Sequence, residues 1–362
     1  MTKGREDMRS RSDITKKMRK VIGAKIICTI LSIVCLISSV GILYIHKSLN
    51  SIVYDNGTDK PVPQATYATD EEGSYIVTEP EILTLDTNSG NLLSDPYVLN
   101  ILLFGADQYG DEGNSDTMIL MSIDNRHEKI KLTSFLRDTY IAIPGYGSNK
   151  LNAAYANGGA KLSIQTIESN FGIKIDRYAV VNFETFKEIV DIMGGVDIEL
   201  TDDEITYINA QIAQNYQDDY LPWDTEAGMV HLNGQQALWH ARNRGGYVNG
   251  TYFYMNDDWG RVERQRAFLD AVMASLKDAN LADIVRIVNA IGPHITTNLK
   301  SNEITTLAAG ALTYLNYDIE ELTMPEDNWQ EVTNHAGKSL GIIDWNLARR
   351  TVAEFIYEDS VI

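Results

Sequence analysis

Three clusters of polar residues stand at spacings that suit phosphate chemistry. The first runs from Gly105-Ala106-Asp107 to Asn114-Ser115-Asp116-Thr117. Its two carboxylates, Asp107 and Asp116, bracket a short loop between two apolar runs. A hard cation such as Mg²⁺ (or Mn²⁺) takes one or two such carboxylates together with substrate phosphate oxygens. Aspartates that merely cap a loop in Asx-turns are the plainer reading.

The second cluster is Arg137-Asp138, then Lys150-Leu151-Asn152 and Tyr155. Arginine grips phosphate oxygens with a planar fork and lysine adds a point charge. A surface ion pair is the alternative.

The third cluster is His240-Ala241-Arg242-Asn243-Arg244, followed by Asp257-Asp258-Trp259-Gly260-Arg261 and on to Gln265. Asp258 is expected to cap a helix. Arg261 and Gln265 then share one face, which Phe268 and Val272 continue as an apolar stripe. A helix N-terminus favours anions, and Arg242, Arg244 and Arg261 would make it a phosphate cradle. A solvated charged face is the alternative, but Arg264 and Arg266 add to an arginine density unusual for so acidic a chain. Together the clusters describe cationic grips beside an acidic pair, which suits a pyrophosphate.

The elements that must position these residues alternate. Strands are expected at Val98–Gly105, Met118–Ile123, Ile130–Ser134, Tyr140–Ile143, Tyr178–Asn182 and Val196–Leu200, with a possible one at Ile319–Thr323. Helices are expected at Lys161–Phe171, Phe183–Met193, Gln235–Arg242 and Arg261–Leu276, and over 281–290, 301–314 and 344–357. The pattern predicts an α/β fold, an α-β-α sandwich around a central mixed sheet.

The chain has 362 residues with 31 Lys+Arg against 50 Asp+Glu, a net charge of −19. That balance excludes a nucleic-acid binder, which needs a basic face. The charge is uneven. Residues 1–25 carry nine basic and three acidic residues, hence +6, which leaves −25 for the rest. Ile26–Ile45 follows, 20 residues without a charge, roughly 30 Å as a helix and enough to cross a bilayer. Basic residues before the span place the N-terminus in the cytoplasm. No Ala-x-Ala site suggests cleavage. The expected organisation is a cytoplasmic tail (1–25), a transmembrane helix (26–46), an extracellular stalk (47–95) and one catalytic domain (96–362). The chain would be a single-pass cell-membrane protein. Both cysteines, Cys28 and Cys35, lie in the span, so the outer part forms no disulfide.

At these clusters the sequence resembles the LytR–CpsA–Psr family. The stretches that carry the likeness are NILLFGAD, NSDTMILMSID, SFLRDTYIAIPG, KLNAAYANGG, MGGVDIEL, HLNGQQALWHARNR and DDWGRVERQRAFLDAV, in that order. The resemblance implies a phosphotransferase. It would move an anionic glycopolymer from a polyprenyl-pyrophosphate carrier to a peptidoglycan hydroxyl, forming a phosphodiester and releasing polyprenyl phosphate. It implies that Asp107 and Asp116 hold Mg²⁺, and that Arg137, Lys150, Arg242, Arg244 and Arg261 bind the pyrophosphate with Gln265 in support. Asp138 and Asp258 would orient arginines or act as base. A non-catalytic binder of polyprenyl-linked glycans and a phosphohydrolase are the competing functions.

The sequence departs from the family pattern in places. Gln108 and Tyr109 stand where an arginine is common, Asp111 and Glu112 could compete for the metal, and Leu136 replaces a proline. The run between Arg244 and Asp258 is insertion-like and rich in Tyr and Gly; it reads as a sugar-stacking lid or an ordinary loop. Phe183, Phe186, Ile189, Val190, Phe268 and Val272 are candidates for the family's lipid tunnel, with ordinary core as the alternative.

Overall fold

The apolar run at Val98 forms strand β2 (Val98–Ala106), and the expected hairpin forms β3 (Ser115–Asp124) and β4 (Lys129–Phe135). In the computed structural model, the described residues are 53–54, 92–107, 113–277, 286–287, 290, 292 and 295–358. The basic tail, the apolar span and most of the stalk segment lie outside them, as does most of the helix expected over 281–290. Among the described residues no helix is long and apolar enough to cross a membrane.

The main sheet has seven strands in the order β1-β12-β7-β2-β3-β4-β13. Its other members are β1 (Val53–Tyr54), β7 (Arg177–Asn182), β12 (Thr296–Thr297) and β13 (Asp318–Met324). The sheet is mixed: β2 pairs parallel to β7 and antiparallel to β3, and β13 pairs parallel to β4. Among the described residues seven helices accompany it: α1 (Asn152–Phe171), α2 (Phe183–Met193), α3 (Asp202–Gln214), α4 (Gly234–Arg242), α5 (Asp257–Leu276), α6 (Ser301–Tyr314) and α7 (Trp345–Tyr357).

Both faces of the central strands are covered. Leu102, Phe104, Met118 and Leu120 enter the largest core with Leu162, Ile167 and Phe171 of α1 and Val352 and Ile356 of α7. Ile119, Ile130 and Leu132 face the other way, against Leu269 and Met273 of α5 and Tyr314 of α6. Strands buried on both faces read as continuous apolar runs, which is why β2 and β3 were legible. Burying each such side chain contributes about 1.5–3 kcal/mol. The layering is the expected α-β-α sandwich.

Several elements differ from expectation. The strand at Tyr140 belongs to a second sheet, β14-β15-β5-β6, made of β5 (Thr139–Ile143), β6 (Gly147–Lys150), β14 (Trp329–Asn334) and β15 (Gly337–Ile342). The helix expected from Lys161 begins at Asn152 and runs through a break at Gly158-Gly159. Two adjacent glycines lower local helix propensity, and this masked the first turns. The strand at Val196, β8 (Val196–Leu200), leaves the main sheet to pair with β9 (Gly228–Leu232). The segment after 295, which carries no motif, supplies β12 to β15, α6 and α7.

At the sheet end where β3 finishes, Lys131 is fully buried. Its Nζ donates to Asp124 Oδ2 (3.0 Å), to Glu358 Oε1 (2.8 Å) and to the Ile356 carbonyl (3.0 Å). Asp124, Glu358 and His127 Nδ1 lie close enough together to suggest a metal cluster, but the ammonium already supplies the positive charge. Burial raises the Asp124 pKa, yet hydrogen bonds from His127, Lys131 and backbone amides outweigh it and hold the group down at about 2. A depressed carboxylate stabilises the fold above its unfolded pKa near 4, and that contribution is lost as pH falls toward 2. Wild-type stability should therefore drop by about 2 kcal/mol across that window. Asp124→Asn should cost about 3 kcal/mol at pH 7. Urea unfolding at pH 7, 4 and 2.5 checks both.

Candidate active site

The topology brings three chain positions to one end of the main sheet. β2 runs antiparallel to β3, and β3 to β4. The end of β2, the start of β3 and the end of β4 therefore lie side by side. These carry Asp107, Asp116 and Arg137. A bulge at Gly105/Ala106 re-aims the exit of β2. Any Cβ on Gly105 would come 2.9 Å from the Thr117 Cβ, so only glycine lets the strands close there.

Asp107 caps its loop. Its Oδ1 accepts from the Asn114 N–H at 2.8 Å, and its own N–H donates to the Asn114 carbonyl at 3.1 Å. The loop-capping reading is thus correct for one of its oxygens. Asp116 is the hub: Arg137 Nη1 donates to its Oδ1 at 2.7 Å. Arg261 Nη1 stands 4.0 Å from Oδ2, and Arg261 Nη2 donates to the Asp116 carbonyl at 3.3 Å.

From Arg137 the chain of charges continues. Its Nε lies 3.6 Å from Asp138 Oδ2, and Lys150 Nζ lies 2.7 Å from Asp138 Oδ1. The hairpin β5–β6 sets this contact by placing Lys150 opposite Tyr140, while the Asn152 N–H donates to the Arg137 carbonyl. Lys150, Asp138, Arg137, Asp116 and Arg261 thus form one connected array. Arg137 thus pairs with Asp138, as the ion-pair reading expects, and each carboxylate is in addition shared between two cations.

α5 supplies Arg261 and Gln265. Its start differs from expectation. Asn256, in the left-handed region (φ 59), precedes it without a side-chain cap, and Asp258 is the second helical residue, not the cap. The Asp258 side chain lies outside the described residues. Arg261 is buried at 5% exposure. One turn on, Gln265 Nε2 donates to Thr117 Oγ1 at 2.8 Å, which docks the helix on β3.

α4 ends in Arg242. Its guanidinium lies over the Phe183 ring at 4.1 Å and the Trp239 ring at 5.2 Å. Its side chain is solvent-exposed, yet the protein packed around it desolvates the guanidinium enough to lower its pKa, against the pull of Asp116, Tyr207 and Asp107. It keeps its charge and lies within electrostatic range of the same two aspartates. Arg244 is exposed, and among the described residues it makes no ion pair. Phe183, one of the tunnel candidates, carries the Arg242 guanidinium on its ring. Trp239 was missed; its i, i+3 spacing from Arg242 was the available signal. Phe186, Val190, Phe268 and Val272 belong to a second core with Val196, Ile198 and Leu232.

Arginine density overstated the site. Arg264 Nε pairs with Glu204 at 2.6 Å, and its Nη1 donates to the carbonyls of Asn243 and Met255. Burial works against the Glu204 charge, but Thr201 and Arg264 outweigh it and hold the carboxyl low. His240 beside this pair is pushed down to about 4 by burial and is neutral at pH 7. Arg266 turns to Glu321 and Thr323. These two arginines are structural. Arg264→Ala should cost about 3 kcal/mol by stranding buried Glu204. Arg244→Ala should leave the melting temperature unchanged. Calorimetry on both variants separates the roles.

Asp107 and Asp116 fit a hard cation in kind. Both are oxygen donors, and each carboxylate retains acceptor capacity beyond the bonds just described.

Residues 64–346 match the model of the LytR_cpsA_psr family. A polyisoprenyl-teichoic acid–peptidoglycan teichoic acid transferase, TagU, of Bacillus anthracis is 34% identical over 224 residues, 60% of this chain and 66% of that protein. The chain thus aligns with just under two thirds of that relative. The crystal structure of B. subtilis TagV superposes with a TM-score of 0.56 at 25% identity, covering 73% of this chain and 98% of that one. YwtF (TagT) with bound octaprenyl pyrophosphate lipid superposes with a TM-score of 0.54 at 20% identity, covering 73% and 93%; that likeness is one of fold. The matched stretch takes in Asp107 through Gln265 and covers well over half of the sequence, and the chain belongs to the LytR–CpsA–Psr family.

Proposed function

We propose that the protein transfers an anionic glycopolymer from a polyprenyl-pyrophosphate carrier to a peptidoglycan hydroxyl. The observation that carries this reading is the shared-carboxylate array of Arg137, Lys150 and Arg261, with Arg242 within electrostatic range of Asp107 and Asp116. A pyrophosphate spreads negative charge over several oxygens, and fixed cations stabilise it most as charge builds on the departing phosphate. The sugar hydroxyl attacks the phosphorus nearer the glycan. The bridging P–O bond breaks, a phosphodiester forms, and the hydroxyl proton ends on polyprenyl phosphate. The names of the teichoic acid transferase relatives support the reaction class.

Arg137, Arg261 and Arg242 bind the pyrophosphate in this reading. Lys150 and Arg244 extend the grip. Asp138, held between Lys150 and Arg137, is a positioning residue that aims both cations. Gln265 acts by fixing the first turns of α5 on β3. Asp107 and Asp116 would hold Mg²⁺ (or Mn²⁺), which supplies charge neutralisation at the phosphates when bound. The apolar span at 26–46 would anchor the chain in the membrane with this domain outside, where the lipid carrier presents its headgroup.

The test uses the full chain in detergent with a synthetic polyprenyl-pyrophosphate oligosaccharide, Mg²⁺ and peptidoglycan fragments. Mass spectrometry should find a phosphodiester-linked conjugate that disappears with EDTA. Free sugar phosphate without conjugate would assign a hydrolase. Bound but unchanged lipid would assign a carrier-binding module.

A further inference from the structure

The insertion-like run after Arg244 folds as a hairpin of β10 (Gly246–Val248) and β11 (Thr251–Phe253). From Tyr252 to Met255 exposed and buried residues alternate. Val248, Phe253 and Met255 are buried with Tyr207 of α3 in a small core. Tyr247, Tyr252 and Tyr254 are 77%, 57% and 78% exposed on the other side. Tyr247 and Tyr252 are direct cross-strand partners with ring centroids 5.0 Å apart.

The scaffold under these rings is fixed. Arg264 Nη1 donates to the carbonyls of Asn243 and Met255 and so staples the two ends of the segment together. Gly245 has φ +78, and a Cβ there would lie 2.4 Å from the Phe253 carbonyl. Asn249 at the turn donates from its N–H to Gln214 and from its Nδ2 to the Ala210 carbonyl, both on α3. Three tyrosines are therefore held out to solvent by a tethered hairpin rather than a loose loop.

Residues 245–256 contain no charged side chain. That matters in a chain of net charge −19, because an anionic polymer meets no fixed repulsion there. The absence of Lys and Arg also removes the usual attraction to a lipid surface. Tyrosine offers an apolar ring face and a polar hydroxyl together, which suits a sugar ring with its C–H face and hydroxyl rim. The hairpin begins two residues after Arg244, so the tyrosine face is continuous in the chain with the pyrophosphate grip.

We propose that this hairpin is a glycan subsite, on which pyranose rings of the saccharide attached to the pyrophosphate stack against Tyr247, Tyr252 and Tyr254. The proposal rests on the pyrophosphate reading of the neighbouring site. It assigns to the hairpin the choice of donor saccharide, not the chemistry.

The experiment measures binding to the full chain in detergent by calorimetry. The probes are a polyprenyl pyrophosphate bearing a disaccharide, the same lipid pyrophosphate without sugar, and a soluble muropeptide. The triple variant Tyr247→Ala/Tyr252→Ala/Tyr254→Ala should bind the sugar-bearing lipid roughly tenfold or more weakly. Its affinity for the sugar-free lipid should stay within about twofold. The triple Tyr→Phe variant should recover most of the loss, because it keeps the ring faces. Equal weakening for both lipids, or none for either, overturns the proposal while leaving the pyrophosphate reading intact. Weakening confined to the muropeptide overturns it in favour of an acceptor site. Loss of self-association or of vesicle binding with unchanged glycan affinity overturns it too. A wild-type chain that binds neither lipid removes the pyrophosphate reading and this proposal with it.

Discussion

Arg261→Ala should lower kcat/KM for glycan transfer by about 10³-fold, the scale for removing one cationic or oxyanion donor from a phosphoryl-transfer site. Three features make Arg261 the most sensitive residue. It is buried, so its charge acts in a medium of low dielectric. It sits in the first turns of α5, where the helix N-terminus adds to its field. It reaches Asp116 with both terminal nitrogens, one to the carbonyl and one toward the carboxylate, so its aim is fixed before substrate arrives. Arg261→Lys should restore little, since a lysine cannot reproduce the fork. Asp116 keeps Arg137 as a partner in the variant, so the array does not collapse. Steady-state kinetics with the synthetic lipid donor, alongside thermal unfolding, makes the comparison. An alanine variant with wild-type kcat/KM would remove Arg261 from the site.

Gly234→Ala should destabilise the protein by about 3 kcal/mol, and this loss should come with weakened substrate binding. The added methyl would run into the Lys187 backbone: its O at 2.2 Å, and its C and Cα at 2.7 Å. Backbone cannot rotate away as a side chain can, so α2 and α4 must separate. The Gly234 N–H also donates to Asp191 Oδ1 of α2 at 2.8 Å, and that bond would be stretched. α4 ends in Arg242, whose guanidinium rests on Phe183 at the start of α2. Parting the helices therefore moves a site cation off its seat. Urea unfolding reads the stability, and calorimetry with sugar-free polyprenyl pyrophosphate reads the site. A variant with wild-type stability would mean that α2 and α4 pack less closely than described here.

The elements that sequence alone could fix are those whose physics is local. β2 and the middle of β3 are continuous apolar runs because both faces are covered, β4 follows across a polar hairpin turn, and α6 and α7 keep their helical period. α2 is bounded by an Asn182 cap and a left-handed Gly194, both legible as residue types. Asp107, Asp116, Arg137, Lys150, Arg242 and Arg261 were identifiable because charge standing next to buried strands needs a reason.

What sequence could not fix is which charges meet. Arg261 and Arg264 look equivalent in the chain, yet one reaches Asp116 and the other is spent on Glu204. Helical phase and the 60-residue separation from Glu204 decide that, and neither appears in a local pattern. Phe183 and Phe186 are likewise one turn apart, but one seats an arginine and the other joins a core. The α-β-α layering, the apolar strands and the residue types of the site were determined by sequence. The pairing of Asp116 with two arginines, the role of Phe183 and the outward face of the tyrosine hairpin were decided by tertiary structure, because each depends on contacts between segments whose distance in the chain carries no signal.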